Sequence, residues 1–301
     1  MSVSVQNLTK NYSGQLAVNN VSFDIKPGEI VGFLGPNGAG KTTTMKILTC
    51  FIPQTSGNVS VCGYDVVKDP LKVRKLIGYL PEHNPLYKEM YVKEYLNFVA
   101  GLYKIKNKKS RVAELVEMTG LGKEQHKLIS ALSKGYRQRV GLAQSMLHDP
   151  KVLILDEPTS GLDPNQLVEI RSLIKEFGKE KTVIFSTHIM QEVQAICDRV
   201  LIINSGKLVA DDNINALTAK VATGRCFIVE LKDSEDIKFL KQLPVVEDVK
   251  QLANNKFKLF SNTNKDIRED IFTAVTQNSG ILLELTEDAS TVEDAFQKLT
   301  K

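Results

Sequence analysis

Apolar and polar residues alternate through Val21–Ile25, the pattern stops at Lys26-Pro27-Gly28-Glu29, and an unbroken apolar run follows at Ile30–Leu34. Alternation marks a strand with one buried face and a Pro-Gly pair marks a turn, so residues 19–35 predict strand, turn, strand. A glycine-rich loop then leads into a helical pattern from Lys41 to about Phe51. Residues 58–80 hold short strand-like runs and a helix, closing on Ile77–Leu80. From about Leu86 to Leu147 the β-branched runs fade and apolar residues take helical spacing, as at Val112, Leu115 and Val116. This stretch predicts a helical insertion, with the basic run Lys104–Lys109 as a solvated turn between helices. Strand signals return at Val152–Leu155 and Thr182–Ser186 with a helix between them, the alternation of a parallel sheet flanked by helices. Residues 199–209 predict a hairpin turning at Ser205-Gly206.

Beyond about Ala222 the pattern resets. Cys226–Leu231, Val245–Val249, Lys256–Phe260 and Ile281–Leu285 have strand character, while Asp236–Leu243, Asp266–Gln277 and a closing Val292–Leu299 are helical. The expectation is a small α+β unit, for which a ferredoxin-like arrangement is one candidate. A chain of 301 residues, at ~100–200 residues per domain, predicts two domains. These are an α/β domain over 1–221, with its helical subdomain at about 86–150, and an accessory α+β domain over 222–301.

Composition narrows the class only a little. The 42% hydrophobic and 25% charged content is that of a globular protein, and a net charge of +4 is too mild to suggest a nucleic-acid partner, so none is expected. The charge is uneven: residues 1–224 carry a net +7 and residues 225–301 a net −3. A basic front part suits an anionic ligand such as a nucleoside triphosphate, though only weakly on its own. Cys50, Cys62, Cys197 and Cys226 form no C-x-x-C pair and no zinc spacing, and they read as single buried thiols in a reducing cytosol. The opening MSVSVQNLTKNYSG lacks an apolar core and a cleavage site, so a signal peptide is not expected. No run approaches the ~20 apolar residues of a membrane helix. Service to a membrane would therefore need a separate chain to cross it.

The candidate chemistry begins at Gly35-Pro36-Asn37-Gly38-Ala39-Gly40-Lys41-Thr42, which fits G-x-x-x-x-G-K-[ST] after a strand and before a helix. Glycines let the backbone wrap closely with N–H groups turned toward phosphate oxygens, and the following helix adds its positive end. Lys41 supplies a point charge to the β- and γ-phosphates, the Thr42 hydroxyl can ligate Mg²⁺, and Thr43 completes the cradle. Val152-Leu153-Ile154-Leu155-Asp156-Glu157 is an apolar strand that ends abruptly in two acids, a poor choice for packing alone. Beside such a loop, Asp156 suits a magnesium site and Glu157 suits a proton acceptor for attacking water. Successive residues leave a strand in opposite directions, so the two can do different work.

Upstream lies Leu132-Ser133-Lys134-Gly135-Tyr136-Arg137-Gln138, in which Ser133 is a good N-cap for a helix running to Leu147. Leu153–Pro158, Ser160-Gly161-Leu162-Asp163 and His188 follow in order. With the phosphate loop, this succession makes residues 1 to about 220 resemble the ATP-binding-cassette (ABC) ATPases, whose signature is usually L-S-G-G-Q. The resemblance implies an α/β P-loop NTPase core that binds ATP with Mg²⁺ and couples its hydrolysis to transport. It implies that Ser160–Asp163 is the D-loop and that His188 senses the γ-phosphate. It further implies that Tyr12, 23 residues before Gly35, stacks on adenine. With one phosphate loop and one signature per chain, it implies a pair of nucleotide domains in which Ser133 and Gly135 of one meet the γ-phosphate held by the other. An integral membrane permease is the implied partner, and the inner face of the cell membrane, on the cytoplasmic side, the implied location.

Two positions depart from the family pattern. Glu82, after Pro81, stands where Gln is usual; a carboxylate cannot donate a hydrogen bond but suits Mg²⁺, so it remains a candidate metal residue. Lys134 and Tyr136 replace the commoner Gly and Gln of the signature. The single cassette, these variants and the extra α+β ending resemble the ATPase subunits of ABC-2-type exporters, including multidrug and polysaccharide exporters. Ile77–Leu96, IGYLPEHNPLYKEMYVKEYL, is similar to the gliding-motility-associated ABC transporter ATP-binding subunits of gliding bacteria. A soluble ABC ATPase without a transport role stands as the more distant alternative.

Overall fold

The structure, a computed structural model, describes residues 1–214, 216, 225–232, 237–263 and 265–288. The chain divides into two units, Met1–Asn213 and a second beginning at Ile214. The expected boundary at 221–222 and the closing helix Val292–Leu299 lie outside the described residues.

The first unit is built on two sheets. Strands β1 (Val3–Tyr12), β2 (Gln15–Ile25), β4 (Ser56–Val61) and β5 (Tyr64–Asp65) form an antiparallel sheet in the order β2-β1-β4-β5. Strands β3 (Ile30–Leu34), β6 (Ile77–Leu80), β7 (Val152–Asp156), β8 (Thr182–Thr187), β9 (Arg199–Asn204) and β10 (Lys207–Asn213) form a second sheet in the order β10-β9-β3-β8-β7-β6. All of its neighbouring pairs are parallel except the β9–β10 hairpin. Strands covered on both faces read as continuous apolar runs, and β7 and β8 are buried at every position. In β2 the alternation Val21, Phe23, Ile25 is buried and Ser22 and Asp24 are exposed, as one buried face requires.

Helices α1 (Lys41–Leu48), α2 (Pro70–Leu76), α6 (Pro164–Gly178) and α7 (Met190–Ile196) connect the strands. The insertion holds α3 (Val92–Leu102), α4 (Lys108–Met118), a 3-10 turn at Ile129–Ala131 and α5 (Lys134–Met146). Helix α1 stops three residues short of the expected Phe51, because Cys50 takes a left-handed φ of 58° that an α-helix cannot contain. Lys104 likewise turns at φ 55° to end α3, and Lys104–Lys109 is solvent-facing apart from half-buried Ile105. Helix α5 lies close against β6: a Cβ on Gly78 would fall 2.2 Å from the Ser145 carbonyl oxygen. The core between the sheets gathers Val3, Val5, Leu8, Phe23, Phe33, Met45, Ile154, Ile184 and Leu201.

Two elements of this unit are not apparent from the sequence pattern. In β1 the alternation of Val3 and Val5 skips to Leu8 across a register shift, with Asn7 at φ 52°. That bulge breaks the period-2 signal. Helix α7 is only seven residues long, too short for a helical period to show, and it includes the fully buried acid Glu192.

In the second unit, β11 (Cys226–Leu231), one-turn α8 (Lys238–Lys241), β12 (Val246–Ala253), β13 (Lys256–Ser261), α9 (Arg268–Gln277) and β14 (Leu282–Asp288) follow one another. The antiparallel sheet order β12-β13-β11-β14 with one helix in each crossover is the ferredoxin-like arrangement. Phe227, Val229, Phe257, Leu259, Ile271 and Val275 form its core. Helix α9 starts two residues after the expected Asp266, whose carboxylate instead accepts from the backbone N–H of Arg268. Cys226 is buried, but Cys50, Cys62 and Cys197 are half-buried, so the reading of four buried thiols holds for one.

Candidate functional site

Strand β3 ends at Leu34, and the chain wraps through residues 35–40 before entering α1. Gly40 caps the helix at φ 107°, and a Cβ there would meet the Ala17 carbonyl oxygen at 2.5 Å, so the turn needs glycine on two counts. Ala39 is buried and its N–H donates to the Pro36 carbonyl, which closes the loop on itself. Lys41, 6% exposed, donates from Nζ to the carbonyl oxygens of Gly35 at 2.8 Å and Pro36 at 3.2 Å.

The acids arrive from β7. Asp156 is fully buried, and its Oδ1 accepts from the Ser186 hydroxyl at 2.5 Å and the Thr42 hydroxyl at 3.2 Å. Its Oδ2 is buried without a partner. Burial pushes the Asp156 carboxyl up, opposed by the two hydroxyl donors. Glu157 leaves the strand at φ 48°, a left-handed conformation that a non-glycine residue adopts only when its surroundings impose it. Its N–H donates to the Ser186 hydroxyl at 3.1 Å and lies 3.2 Å from the Ser186 carbonyl oxygen. The Glu157 carboxylate stands between Lys41 Nζ at 3.4 Å and His188 Nδ1, which donates to Oε2 at 3.0 Å. The two acids are thus separated by a backbone reversal, and simple strand alternation does not account for it.

Tyr12, Asn37, Gly38, Gly40, Lys41, Thr42, Thr43, Glu82, Glu157 and His188 all line one cleft of about 540 Å³, with Gln15, Ala17 and Ser160. That volume lies within the ~300–1,000 Å³ of ligand pockets. Gly35, Pro36 and Ala39, in the same loop, are not among its lining residues. Tyr12 reaches the cleft because β1 and β2 form a hairpin in which Tyr12 pairs with Gln15. The Lys10 ammonium sits 5.1 Å from the centroid of its ring. A buried carboxylate with an orphan oxygen, touching a hydroxyl at the edge of a polar cleft, is a donor set suited to a hard divalent cation. Thr42 and Asp156 fit that role, and Glu82 lines the same cleft as Thr42.

Ser133 and Gly135 are not among the residues lining this cleft. Ser133 caps α5, its hydroxyl accepting from the Tyr136 N–H at 3.3 Å, and Gly135 is buried against Gln166. The expected site residues therefore fall in two separate places on one chain. Sequence reasoning misses Ser186, which binds both acids, because a lone serine in an apolar strand gives no signal until the neighbouring strand is known. It also misses Glu192, which accepts from the Thr187 hydroxyl at 2.6 Å and so braces the segment leading to His188.

Comparison with known proteins gives the same picture. A sequence model described as ABC transporter matches residues 18–160. The ABC transporter ATP-binding protein YhcH of Bacillus subtilis is 42% identical over 215 residues, covering 70% of each chain. The bacitracin transport ATP-binding protein BcrA of Bacillus licheniformis is 33% identical over 300 residues, covering 99% of this chain and 96% of its own. Among solved structures, a dimeric ATP-binding cassette in a post-hydrolysis state, bound to ADP and Pi, superposes with a TM-score of 0.65 at 26% identity. That match spans 70% of this chain and 98% of that one.

Proposed function

This chain belongs to the ABC transporter ATP-binding family, and from that premise we propose that two copies of it close on two ATP molecules and drive a separate membrane permease. As a member, it is an ATPase whose hydrolysis of ATP to ADP and phosphate is coupled to transport. The observation that carries the two-copy reading is the divided site. Lys41, Glu157 and His188 line one cleft, to which buried Asp156 is joined through the Thr42 hydroxyl, whereas Ser133 and Gly135 stand at the start of another helix and line no part of it. A second copy, turned to face the first, supplies the missing piece, and the similar cassette bound to ADP and Pi is itself dimeric.

Each side chain then has a task. Tyr12 stacks on adenine with the face of its ring that Lys10 leaves open. The N–H groups of residues 37–43 hold the phosphates, and Lys41 turns from the Gly35 and Pro36 carbonyls to the β- and γ-oxygens. That turn removes the ammonium from Glu157 and leaves its carboxylate to accept a proton from the attacking water. His188, bonded to Glu157 and lining the same cleft, senses the γ-phosphate in this reading. Ser133 and Gly135 of the second copy bring N–H groups and a helix N-terminus to the same phosphate. Thr42 and Asp156, with Glu82, would hold Mg²⁺, which when bound would supply positive charge to the phosphates. Positioning and electrostatics provide the catalysis.

Among the described residues no helix is long and apolar enough to cross a membrane. We place the permease on a separate chain and this chain peripherally, on the cytoplasmic face of the membrane. We place it in the ABC-2-type exporter group. Two cargo classes follow from different observations. The similarity of Ile77–Leu96 to gliding-motility subunits points to an exporter serving gliding. The match to a bacitracin transport protein over 99% of the chain, second unit included, points to multidrug export. Isolation of the native complex tests the whole reading. It should yield an integral membrane protein and MgATP hydrolysis that Lys41→Ala abolishes; recovery of an active chain with no membrane partner would overturn the transport role.

A further inference from the structure

Three contacts in a row tie the start of α5 to the D-loop and α6 of the same chain. A Cβ on Gly161 would fall 2.3 Å from Lys134 Nζ, so the ammonium is seated directly on the D-loop turn, where Gly161 adopts φ 69°. A Cβ on Gly135 would fall 2.5 Å from the Gln166 side chain. One turn further along, Arg139 is ion-paired with Glu169. The neighbouring carboxylate, Asp163, is spent as the N-cap of α6, where it accepts from the Gln166 N–H at 2.9 Å. Among the described residues Lys134 makes no ion pair and no hydrogen bond, so its contact with Gly161 is one of packing.

The placement matters because Ser160, adjacent to Gly161, lines the nucleotide cleft of its own chain, while Ser133, adjacent to Lys134, belongs to the piece that completes the other copy's cleft. We propose that Lys134 is a positioning residue that couples the two ATP sites of the pair. Through its seat on Gly161, a shift of Ser160 at one nucleotide moves the signature at the other. This inference rests on the two-copy reading. The glycine usual at this position could make no such contact, so this added link is a property of the Lys134 variant. The link is a contact between two short segments on a shared support, so both nucleotides bias one element and their binding energies are coupled reciprocally.

The test is steady-state hydrolysis by the full chain as a function of MgATP. Wild type should be cooperative, with a Hill coefficient approaching about 2, the ceiling for two sites. Lys134→Ala should lower it toward 1, while the maximal rate changes less than about threefold. Gly161→Ala, whose new methyl displaces the ammonium and also strains a turn held at φ 69°, should act in the same direction. Adding Lys134→Ala to Gly161→Ala should lower cooperativity no further, because the contact is already lost. Lys134 is exposed, so folding of the alanine variant is not at risk. A wild-type Hill coefficient of 1, or Lys134→Ala with undiminished cooperativity, overturns the proposal. Failure of Glu157→Gln to dimerise in MgATP would instead remove the two-copy reading beneath it, and the two failures are read from different assays.

Discussion

Ser186→Ala removes a hydroxyl that serves both acids of the site. Ser186 is fully buried, donates to Asp156 Oδ1 at 2.5 Å and accepts from the Glu157 N–H at 3.1 Å. A hydrogen bond to a charged group contributes about 1.5–3 kcal/mol. The Glu157 N–H keeps the Ser186 carbonyl at 3.2 Å as an acceptor, so its loss adds little. A destabilisation of about 2–3 kcal/mol follows, which for a unit of this size lowers the melting temperature by about 4–12 °C. Protonation limits the damage. Loss of the donor pushes the Asp156 carboxyl further up, in the direction burial already takes it. The variant's deficit should therefore be smaller at acid than at neutral pH, where the unsupported charge must be kept. MgATP should narrow it as well, because the cation takes up the charge of Asp156. Calorimetric melting of both proteins at the two pH values, with and without MgATP, reads all three effects. Equal melting temperatures without nucleotide, or a deficit that grows as pH falls, would refute the reasoning.

Other consequences are simpler to state. Lys41→Ala should lower kcat/KM for ATP by about 100-fold or more, since it removes a preorganised cation from the phosphates; near-normal turnover would deny it that place. Gly78→Ala should cost about 1–3 kcal/mol in urea unfolding, because its methyl meets the backbone oxygen of Ser145 at 2.2 Å and a backbone cannot rotate away. Asp149 accepts from Lys181 at 2.5 Å, which holds its carboxyl below the usual range. A carboxyl lowered in the folded state stabilises fully above its unfolded value, and that stability is lost as pH falls through the folded one. Asp149→Asn should therefore flatten the acid arm of the stability profile, and high salt should shrink the difference at this exposed pair. An unchanged acid arm would show that the pair contributes nothing.

Much of this was legible in the sequence because the chemistry is local there. Residues 35–43 form a cradle because their order fixes backbone and helix start together, and Asp156 and Glu157 are marked by ending an apolar strand. Strands Ile30–Leu34 and Val152–Asp156 are plain for the same reason, being buried on both sides. What the pattern hides depends on contacts between distant segments. The bulge at Asn7 conceals β1, and with it the reason Tyr12 stands at the mouth of the cleft. Ser186 acquires meaning only from β7 lying beside β8. Glu157 points away from Asp156 through a left-handed φ that nothing in its own identity favours. The seat of Lys134 on Gly161 joins residues that are far apart in the chain.

The central claim is that one chain holds only part of a complete site and that a second copy supplies Ser133 and Gly135. Light scattering on Glu157→Gln decides it most directly, because slowing hydrolysis without removing the phosphate cradle should hold the closed pair together. With MgATP the mass should rise to twice the 33.5 kDa of the chain, and adding Ser133→Arg at the α5 cap should return it to the single-chain value. A Glu157→Gln protein that binds MgATP and stays at 33.5 kDa would contradict the account.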